Sequence, residues 1–310
     1  MPALTQTLAT SLDLLGLVLL GGVMAGWLWL QPRRPAGRAV AALDGWLALA
    51  VALSLAGAAA DLLLRTAALH EIAPAAAWPH VGDVLLGSDY GRFWILRVAS
   101  LLALVLLWAI ARGATRPLRM AAPLVVLAGA FAIAGTGHAG EDGGLTVLAL
   151  SGVVHVTAAS LWGGSVIIYG FAIAPRLRHG LVPAAWVAES ATRLSALAGL
   201  ALAMVLASGL YNAWMLVGTI PAMWQTDYGR ILMFKLALVA VMMGIGFFNR
   251  YQAVPLIRAW AQPPQLAAEA DAPLARLQTM LRIDALVVLL VILAAAVLGN
   301  TSPAAHLQAG

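Results

Sequence analysis

Residues 145–173, LTVLALSGVVHVTAASLWGGSVIIYGFAI, contain no aspartate, glutamate, lysine or arginine, and one histidine, His155. An α-helix needs about 20 largely apolar residues to cross the roughly 30 Å hydrocarbon core of a bilayer. This stretch is long enough to span a membrane with its histidine inside the bilayer. Membrane insertion is therefore the starting hypothesis for the whole chain.

The rest of the chain has the same character. Of its 310 residues, 62% are hydrophobic and 10% are charged, whereas about 25% of the residues in ordinary globular domains are charged. This composition excludes a soluble enzyme and a disordered tail, and the absence of cysteine excludes a disulfide scaffold. We predict an all-α, polytopic membrane protein with eight transmembrane helices. Their approximate ranges are 8–30, 42–64, 92–112, 118–137, 145–173, 193–217, 230–249 and 280–299.

The arginines indicate how these helices are oriented. Of the 18 basic residues only Lys235 is not an arginine, and most arginines lie in alternate loops, while the other loops carry most of the loop acids. By the positive-inside rule we predict that both termini and the acidic loops face outward. Arginines placed as topology signals are not a phosphate-binding surface, so we expect the lipid bilayer and no nucleic acid as a partner. The first stretch follows no basic segment, which favours a retained helix over a cleaved signal peptide.

A four-residue motif recurs in the two halves of the chain. Asp-Tyr-Gly-Arg stands at 89–92 and again at 227–230, and each copy opens a predicted membrane helix. A basic residue follows at the same offset in both copies, Arg97 in the first and Lys235 in the second. Repetition of both the motif and the buried cation indicates an internal duplication.

Helices 1 and 5 also correspond. Asp13 precedes the pair Gly21-Gly22 by the same spacing as His155 precedes Gly163-Gly164. Two ionisable residues therefore take equivalent places in the two halves.

The predicted halves are 1–140 and 141–310. Corresponding helices cross the membrane in the same direction, so we predict two parallel four-helix repeats related by an axis along the membrane normal. Membrane proteins built from repeats commonly bind their substrate between them, and we expect the site of this protein there.

His155, His138 and Asp13 are the leading candidates for that site. His155 lies about ten residues into helix 5, His138 ends helix 4 in Gly-Thr-Gly-His, and Asp13 lies in the outer half of helix 1. Ionisable groups inside a bilayer are functional candidates by default. Taken alone, His155 could ligate a metal or haem, relay a proton, or hydrogen-bond a neighbouring helix. Together the three predict a metal site of nitrogen and oxygen ligands, open to the outside.

Further ligands are possible on both the helices and the loops. Met215 and Met233 lie at similar depth, and thioether with imidazole favours copper, particularly Cu(I), although a methionine in a membrane helix is more often core filler. His70, His80 and His306 fall on the outer side, where they either are ordinary solvated residues or collect a cation.

The charges near the outer ends of the helices are expected to pair. Asp61 and Arg65 lie four residues apart on one helix, which favours an ion pair. Arg97 and Lys235 lie about two turns deep, where each can extend outward or neutralise one of the aspartates, Asp13 or Asp61.

No sequence motif indicates catalysis. The chain has no phosphate-binding glycine loop, zinc protease motif or hydrolase elbow. We therefore expect a protein that is not an enzyme.

Several of these segments resemble the copper resistance protein D (CopD) family of bacterial inner-membrane proteins. The similarity extends over most of the chain and is strongest over about 135–251. The segments that carry it are Gly137-His138-Ala139, His155 with Ala158–Gly164, Ala207–Ala213, Tyr228-Gly229, Lys235, Asn249-Arg250-Tyr251 and Ser302-Pro303.

The resemblance implies copper handling at the cytoplasmic membrane, generally uptake from the periplasm. It implies a small periplasmic copper-binding protein of the CopC type as partner, which is not fused to this chain. The histidines of the family correspond to His138 and His155. Where the family often has a histidine in the first helix, this chain has Asp13, and a His/Asp site tolerates Cu(II) better than a soft Cu(I) site does.

Two alternatives remain open at this point. One is a transmembrane electron-transfer protein that binds haem b, with His155 and a second histidine as axial ligands. Only one histidine of this chain is clearly buried, whereas such a haem usually needs two at depth. The other is an assembly or sensing partner that binds no metal.

Overall fold

The computed structural model describes residues 4–31, 43–111, 115–140, 145–179, 183–262 and 271–305. Within these residues the chain is almost entirely helical and has no β-strand. Eight helices, named α1 to α8 here, are long and apolar enough to cross a membrane, as predicted. They are Leu4–Leu30, Asp44–Leu69, Asp89–Ala111, Arg116–Thr136, Val147–His179, Ala184–Val217, Asp227–Trp260 and Ala272–Gly299. Following the arginine pattern, we call the end of the bundle at which α1 begins and α8 ends the outer end.

Helices α5, α6 and α7 are longer at their inner ends than the apolar pattern predicts. They contain 33, 34 and 34 residues, which at 1.5 Å per residue is about 50 Å and exceeds the roughly 30 Å of hydrocarbon. Their extensions carry arginines and polar residues, which hydropathy assigns to loops. Outside the hydrocarbon a helix needs no apolar residues to keep its backbone hydrogen bonds, so the helices continue. Two of these helices include π-helical turns near the inner end, at Tyr169–Ile173 and Asn249–Ala253.

Helices α1 and α5 form the centre of the bundle. In their most apolar segments 61% and 72% of the residues are buried, against 17% in both α3 and α7. The two helices predicted to correspond are thus the two most buried ones, and α3 and α7 are the two most exposed to lipid.

The packing partners of the helices follow one pattern in both halves. Helix α1 packs on α2 and α4, as α5 packs on α6 and α8. Helix α3 packs on α4, as α7 packs on α8, and α4 meets α5, as α8 meets α1. The division into two parallel repeats stays a prediction. It is supported by these contacts, because each contact of a helix in one half has an equivalent for the corresponding helix of the other half.

The contact between α1 and α5 is a close approach of two backbones. A Cβ atom added at Gly164 would lie 2.0 Å from the carbonyl oxygen of Val18 and 2.4 Å from the backbone nitrogen of Gly22. One turn toward the outer end, a Cβ at Gly21 would lie 2.7 Å from the carbonyl oxygen of Ser160. Small residues allow such approaches between membrane helices, and here they close the centre of the bundle.

Gly164→Ala is expected to lower the free energy of unfolding by about 1–3 kcal/mol, because its methyl group overpacks a contact made of backbone atoms. Thermal unfolding of the purified protein in detergent measures the change. Gly244→Ala on α7 is the matched control, since an added Cβ there meets nothing within 4 Å. Equal loss of stability in both variants would contradict a close α1–α5 contact.

Candidate membrane cavity and its ligands

A cavity of about 370 Å³ opens between the helices in the outer half of the bundle. This volume lies within the usual range of small-ligand sites, roughly 300–1,000 Å³. All eight helices contribute to its lining, and most of its polar residues lie toward the outer end. These polar residues include Thr10, Asp13, Asp61, Arg65, Tyr90, Arg97, Thr136, His138, His155, Asn212, Tyr228, Lys235 and Asn300.

The four ionisable residues deepest in this group share one level. Arg97, His155 and Lys235 each lie eight residues from the outer end of their helix, and Asp13 lies nine residues from the start of α1. At 1.5 Å per residue these offsets correspond to a depth of about 12–14 Å. The offsets set the four groups at one depth, and the packing of the helices brings them into the lining of one cavity.

Asp13 forms an ion pair with Arg97. Both side chains are buried, with 8% and 11% of their surfaces exposed. The backbone of α2 lies against the aspartate, because a Cβ at Gly57 would be 2.5 Å from the Asp13 nitrogen. Of the pairings expected for the deep cations, the structure has Arg97 with Asp13, and the Asp13 carboxylate is engaged.

Asp61 is the centre of a hydrogen-bonded group nearer the mouth of the cavity. It accepts hydrogen bonds from Arg65 Nε at 3.0 Å, as the i,i+4 spacing predicts, and from the Tyr90 hydroxyl at 2.7 Å. Gln6 and Thr10 of α1 also donate to it. The Arg65 guanidinium lies over the Tyr90 ring at 4.7 Å, so the tyrosine of the first Asp-Tyr-Gly-Arg motif joins α3 to α2, and Asp61 joins both to α1.

His155 is oriented by a serine on the neighbouring helix α6. Its Nδ1 lies 3.2 Å from Ser208 Oγ, and that hydroxyl donates its own hydrogen to the Met204 carbonyl at 2.6 Å. The serine oxygen can then only accept, so Nδ1 carries the ring hydrogen and Nε2 keeps its lone pair. Gly209 makes room for the ring, since a Cβ there would lie 3.0 Å from His155 Cε1. A neutral imidazole held in this way could bind a metal through Nε2, with its ring orientation fixed by the hydrogen bond to Ser208.

His138 reaches the same cavity from the turn that follows α4. It begins a short 3-10 helix, His138–Gly140. The turn is tight, because a Cβ at Gly140 would lie 2.5 Å from the Gly135 carbonyl oxygen. The glycines around this histidine therefore allow it to fold back over the cavity mouth.

Lys235 and Asn212 add two further polar groups to the lining. Lys235 is half-buried and forms no ion pair with an acidic residue in the described part of the chain. The side-chain oxygen of Asn212 is buried and accepts no hydrogen bond within the described ranges. An unpaired amide oxygen is a possible ligand for a cation. The motif containing Asn212 is part of the family resemblance, but its side chain was not identified as a ligand from the sequence.

The floor of the cavity is apolar. Val18, Trp162, Val239, Met242 and Val288 line its inner part. Beneath them lies the glycine contact between α1 and α5. The cavity is therefore separated from the inner half of the bundle by packed helices.

The remaining candidates lie elsewhere. Met215 and Met233 are not among the residues that line the cavity, and the Met215 side chain is 45% exposed on the outer surface of its helix. His306 lies outside the described residues. His70 and His80 are on the connection between α2 and α3.

His70 and His80 form a separate cluster with Asp83. One donor atom from each side chain lies within 4.8 Å of the other two, and no other group of three His, Asp or Glu residues in the described ranges meets this condition. The two rings are stacked, with centroids 4.5 Å apart. Asp83 was not among the candidates from the sequence, although its position three residues after His80 gives the signal.

The fold and the cavity define a class, a polytopic helical membrane protein with a histidine-containing cavity at one end of its bundle. Two family models match the chain. Residues 188–298 match copper resistance protein D, and residues 1–148 match the N-terminal domain of copper resistance protein D-like proteins. Together these ranges take in most of the sequence, and the chain belongs to the copper resistance protein D family.

Three curated proteins are similar to parts of the chain. Copper transport protein CutJ of Bacillus subtilis (strain 168) is 30% identical over 171 residues, which are 54% of this chain and 31% of that protein. Inner membrane protein YebZ of Escherichia coli (strain K12) is 29% identical over 187 residues, 58% of this chain and 60% of that protein. Copper resistance protein D of Pseudomonas syringae pv. tomato is 23% identical over 184 residues, 58% of this chain and 59% of that protein. The matches thus span about a third to three-fifths of these relatives, and no solved structure matches the chain significantly.

Proposed function

We propose that this protein handles copper at the bacterial inner membrane by accepting it from the periplasmic side into the cavity between its two halves. His155 is the primary ligand, and His138 is a further ligand at the mouth of the cavity. Asp13 supplies a carboxylate that becomes a ligand when it separates from Arg97. The observation that carries the proposal is the meeting of these residues in one cavity lined by all eight helices, in a chain of the copper resistance protein D family.

The chemistry of the lining favours copper over hard cations. An imidazole with a free Nε2, a second histidine and the unpaired Asn212 oxygen are nitrogen and oxygen donors, and imidazole suits copper and zinc among the transition metals. Divalent copper stands at the top of the affinity order for such sites. Copper is cargo in this proposal, and no step of it needs a catalytic residue.

The carboxylate of Asp13 becomes a ligand only when it leaves Arg97. An incoming copper ion competes with the guanidinium for the same oxygens, and exchange requires that the released Arg97 side chain reach water or another acceptor, because an unpaired buried charge is costly. Copper entry therefore couples to release of Arg97.

The packed floor makes the proposed state an outward-facing one. Copper reaches the level of His155 from the outer end, and inward passage requires α1 and α5 to separate at the Gly22–Gly164 contact. A periplasmic donor of the CopC type is part of the proposal as the source of the metal.

Copper analysis of the purified full-length protein tests the site. We expect His155→Ala to lose one copper equivalent relative to the unsubstituted protein. Ser208→Ala should keep the ligand but weaken copper binding by about 10–100-fold, the usual effect of removing the hydrogen-bond partner that orients a metal-binding histidine. His179→Ala is the matched control, because that histidine is exposed at the inner end of the same helix. Unchanged copper content in His155→Ala would contradict the site, and a Soret band in the purified protein would identify haem instead.

A further inference from the structure

We propose that His70, His80 and Asp83 form a second metal site, a capture site for a divalent transition-metal ion on the outer surface. Its three donor atoms lie within 4.8 Å of one another. Ligands that share an ion at bond lengths of about 2.0–2.2 Å lie roughly 3–4 Å apart. Because these side chains lie at the surface of the protein, small rotations bring them into that range.

The imidazole of His70 is already oriented for ligation. Its Nδ1 lies 3.0 Å from the carbonyl oxygen of Thr66, and since a carbonyl can only accept, Nδ1 donates its hydrogen. Nε2 therefore keeps the lone pair that a metal requires. Metal-binding histidines commonly donate their other ring hydrogen to a backbone carbonyl in this way.

The backbone of the connection brings the three ligands together. Glu71, directly after His70, is the only non-glycine residue of the described ranges with a positive φ, at 55°. This conformation is uncommon for residues other than glycine, and here it turns the chain at the end of α2. His80 and Asp83 follow in consecutive helical turns, Trp78–His80 and Val81–Gly87. A spacing of three residues places the two side chains on one face.

The ligand set indicates which ion is bound. Two neutral imidazoles and one carboxylate contain no thiolate or thioether, so the site favours borderline divalent ions over Cu(I). Among these ions Cu(II) binds most tightly to nitrogen and oxygen ligands. A carboxylate partly balances the charge of the ion, and Glu71 next to His70 adds a second negative charge to the loop.

The position of the cluster indicates that it supplies copper to the cavity. His70 follows Asp61 by nine residues along α2, which is about 14 Å of helix, and Asp61 lines the cavity. Copper bound by the cluster is therefore held close to the mouth of the cavity. This role rests on the proposed function, whereas metal binding by the cluster does not.

Titration of the chelator-stripped, full-length protein with copper(II) sulfate, followed by copper content and electron paramagnetic resonance, tests the proposal. We expect two copper equivalents in the unsubstituted protein, with nitrogen hyperfine structure. His80→Ala and Asp83→Asn should each weaken one of them by more than about 100-fold, since loss of a residue that only hydrogen-bonds a ligand already costs about 10–100-fold. The combination of His80→Ala with His155→Ala should bind neither.

Asp89→Asn is the control for Asp83→Asn, because Asp89 is an exposed aspartate at the end of the same connection and is paired with Arg92. If His80→Ala and Asp83→Asn bind copper as the unsubstituted protein does, the outer site is overturned and the cavity site is unaffected. If they lose one equivalent while His155→Ala keeps both, the outer site stands and the proposed cavity function fails.

Discussion

Arg97→Met is expected to lower the free energy of unfolding by about 3–5 kcal/mol, the usual cost of removing one partner of a buried ion pair. The substitution leaves the Asp13 carboxylate buried among helices without its counter-ion. The backbone of α2 at Gly57 packs closely against the backbone nitrogen and Cβ of the aspartate, so the side chain stays among the helices. Chemical or thermal unfolding of the purified protein in detergent measures the change.

A second pair on the same helix provides the control. Arg92 pairs with Asp89 at 2.9 Å, but their side chains are 79% and 83% exposed, and such surface pairs contribute about 0–1 kcal/mol. Arg92→Met should therefore be almost neutral. The double variant Asp13→Leu, Arg97→Met should recover most of the loss, since apolar replacement of both partners leaves no uncompensated charge. A single Arg97→Met protein as stable as the Arg92→Met protein would show that the buried pair has no structural importance.

The eight membrane helices were predictable because their apolar lengths reflect the thickness of the bilayer. The inner ends of α5, α6 and α7 were not, because beyond the hydrocarbon both helix and loop accept arginine. Hydropathy reports where a residue can meet lipid, and it does not report where the backbone stops being helical. The same limit explains why the prediction ended α7 at about residue 249, whereas the helix continues to Trp260.

The level of the deep charges was predictable, but their partners were not. Equal offsets from the helix starts place Arg97 and Lys235 at one depth, whatever the packing. The choice of Asp13 rather than Asp61 as the partner of Arg97 depends on how α1 and α3 are rotated about their axes. Spacing along a single chain contains no information on that rotation.

Contacts between distant segments account for the other omissions. Ser208 orients His155 across 53 positions, and Tyr90 joins Asp61 across 29. Ser208 is not unusual in its own helix, and the repeated motif that contains Tyr90 does not indicate which residue the tyrosine contacts. Asp83 is different, because its spacing of three residues from His80 was visible in the sequence. The approach of His70 to these two residues was not visible, because it depends on the turn after α2.

Lys235→Met is expected to raise the copper affinity of the cavity by roughly 30-fold for Cu(I) and 1,000-fold for Cu(II). The lysine lines the cavity with no acidic partner in the described ranges. At a separation on the order of 8 Å and an effective dielectric constant of about 20, its charge opposes a monovalent cation by about 2 kcal/mol and a divalent one by about 4 kcal/mol. Methionine retains an unbranched, flexible side chain of comparable length and removes the charge. Because its thioether can itself bind copper, Lys235→Leu, which removes the charge without adding a ligand, is expected to show the same gain.

Competition titrations with a copper chelator measure this affinity, and carrying them out in a His80→Ala background removes the contribution of the outer cluster. Arg230→Met is the matched control on the same helix, because Arg230 is exposed and pairs with Asp227 at the surface. Unchanged or weaker copper binding in Lys235→Met would contradict a copper site at the level of this lysine. Tighter copper binding in Lys235→Met would show that the positive charge of Lys235 weakens copper binding in the unsubstituted protein. In the proposed function copper accepted by the cavity is passed on, and repulsion from Lys235 would favour its release.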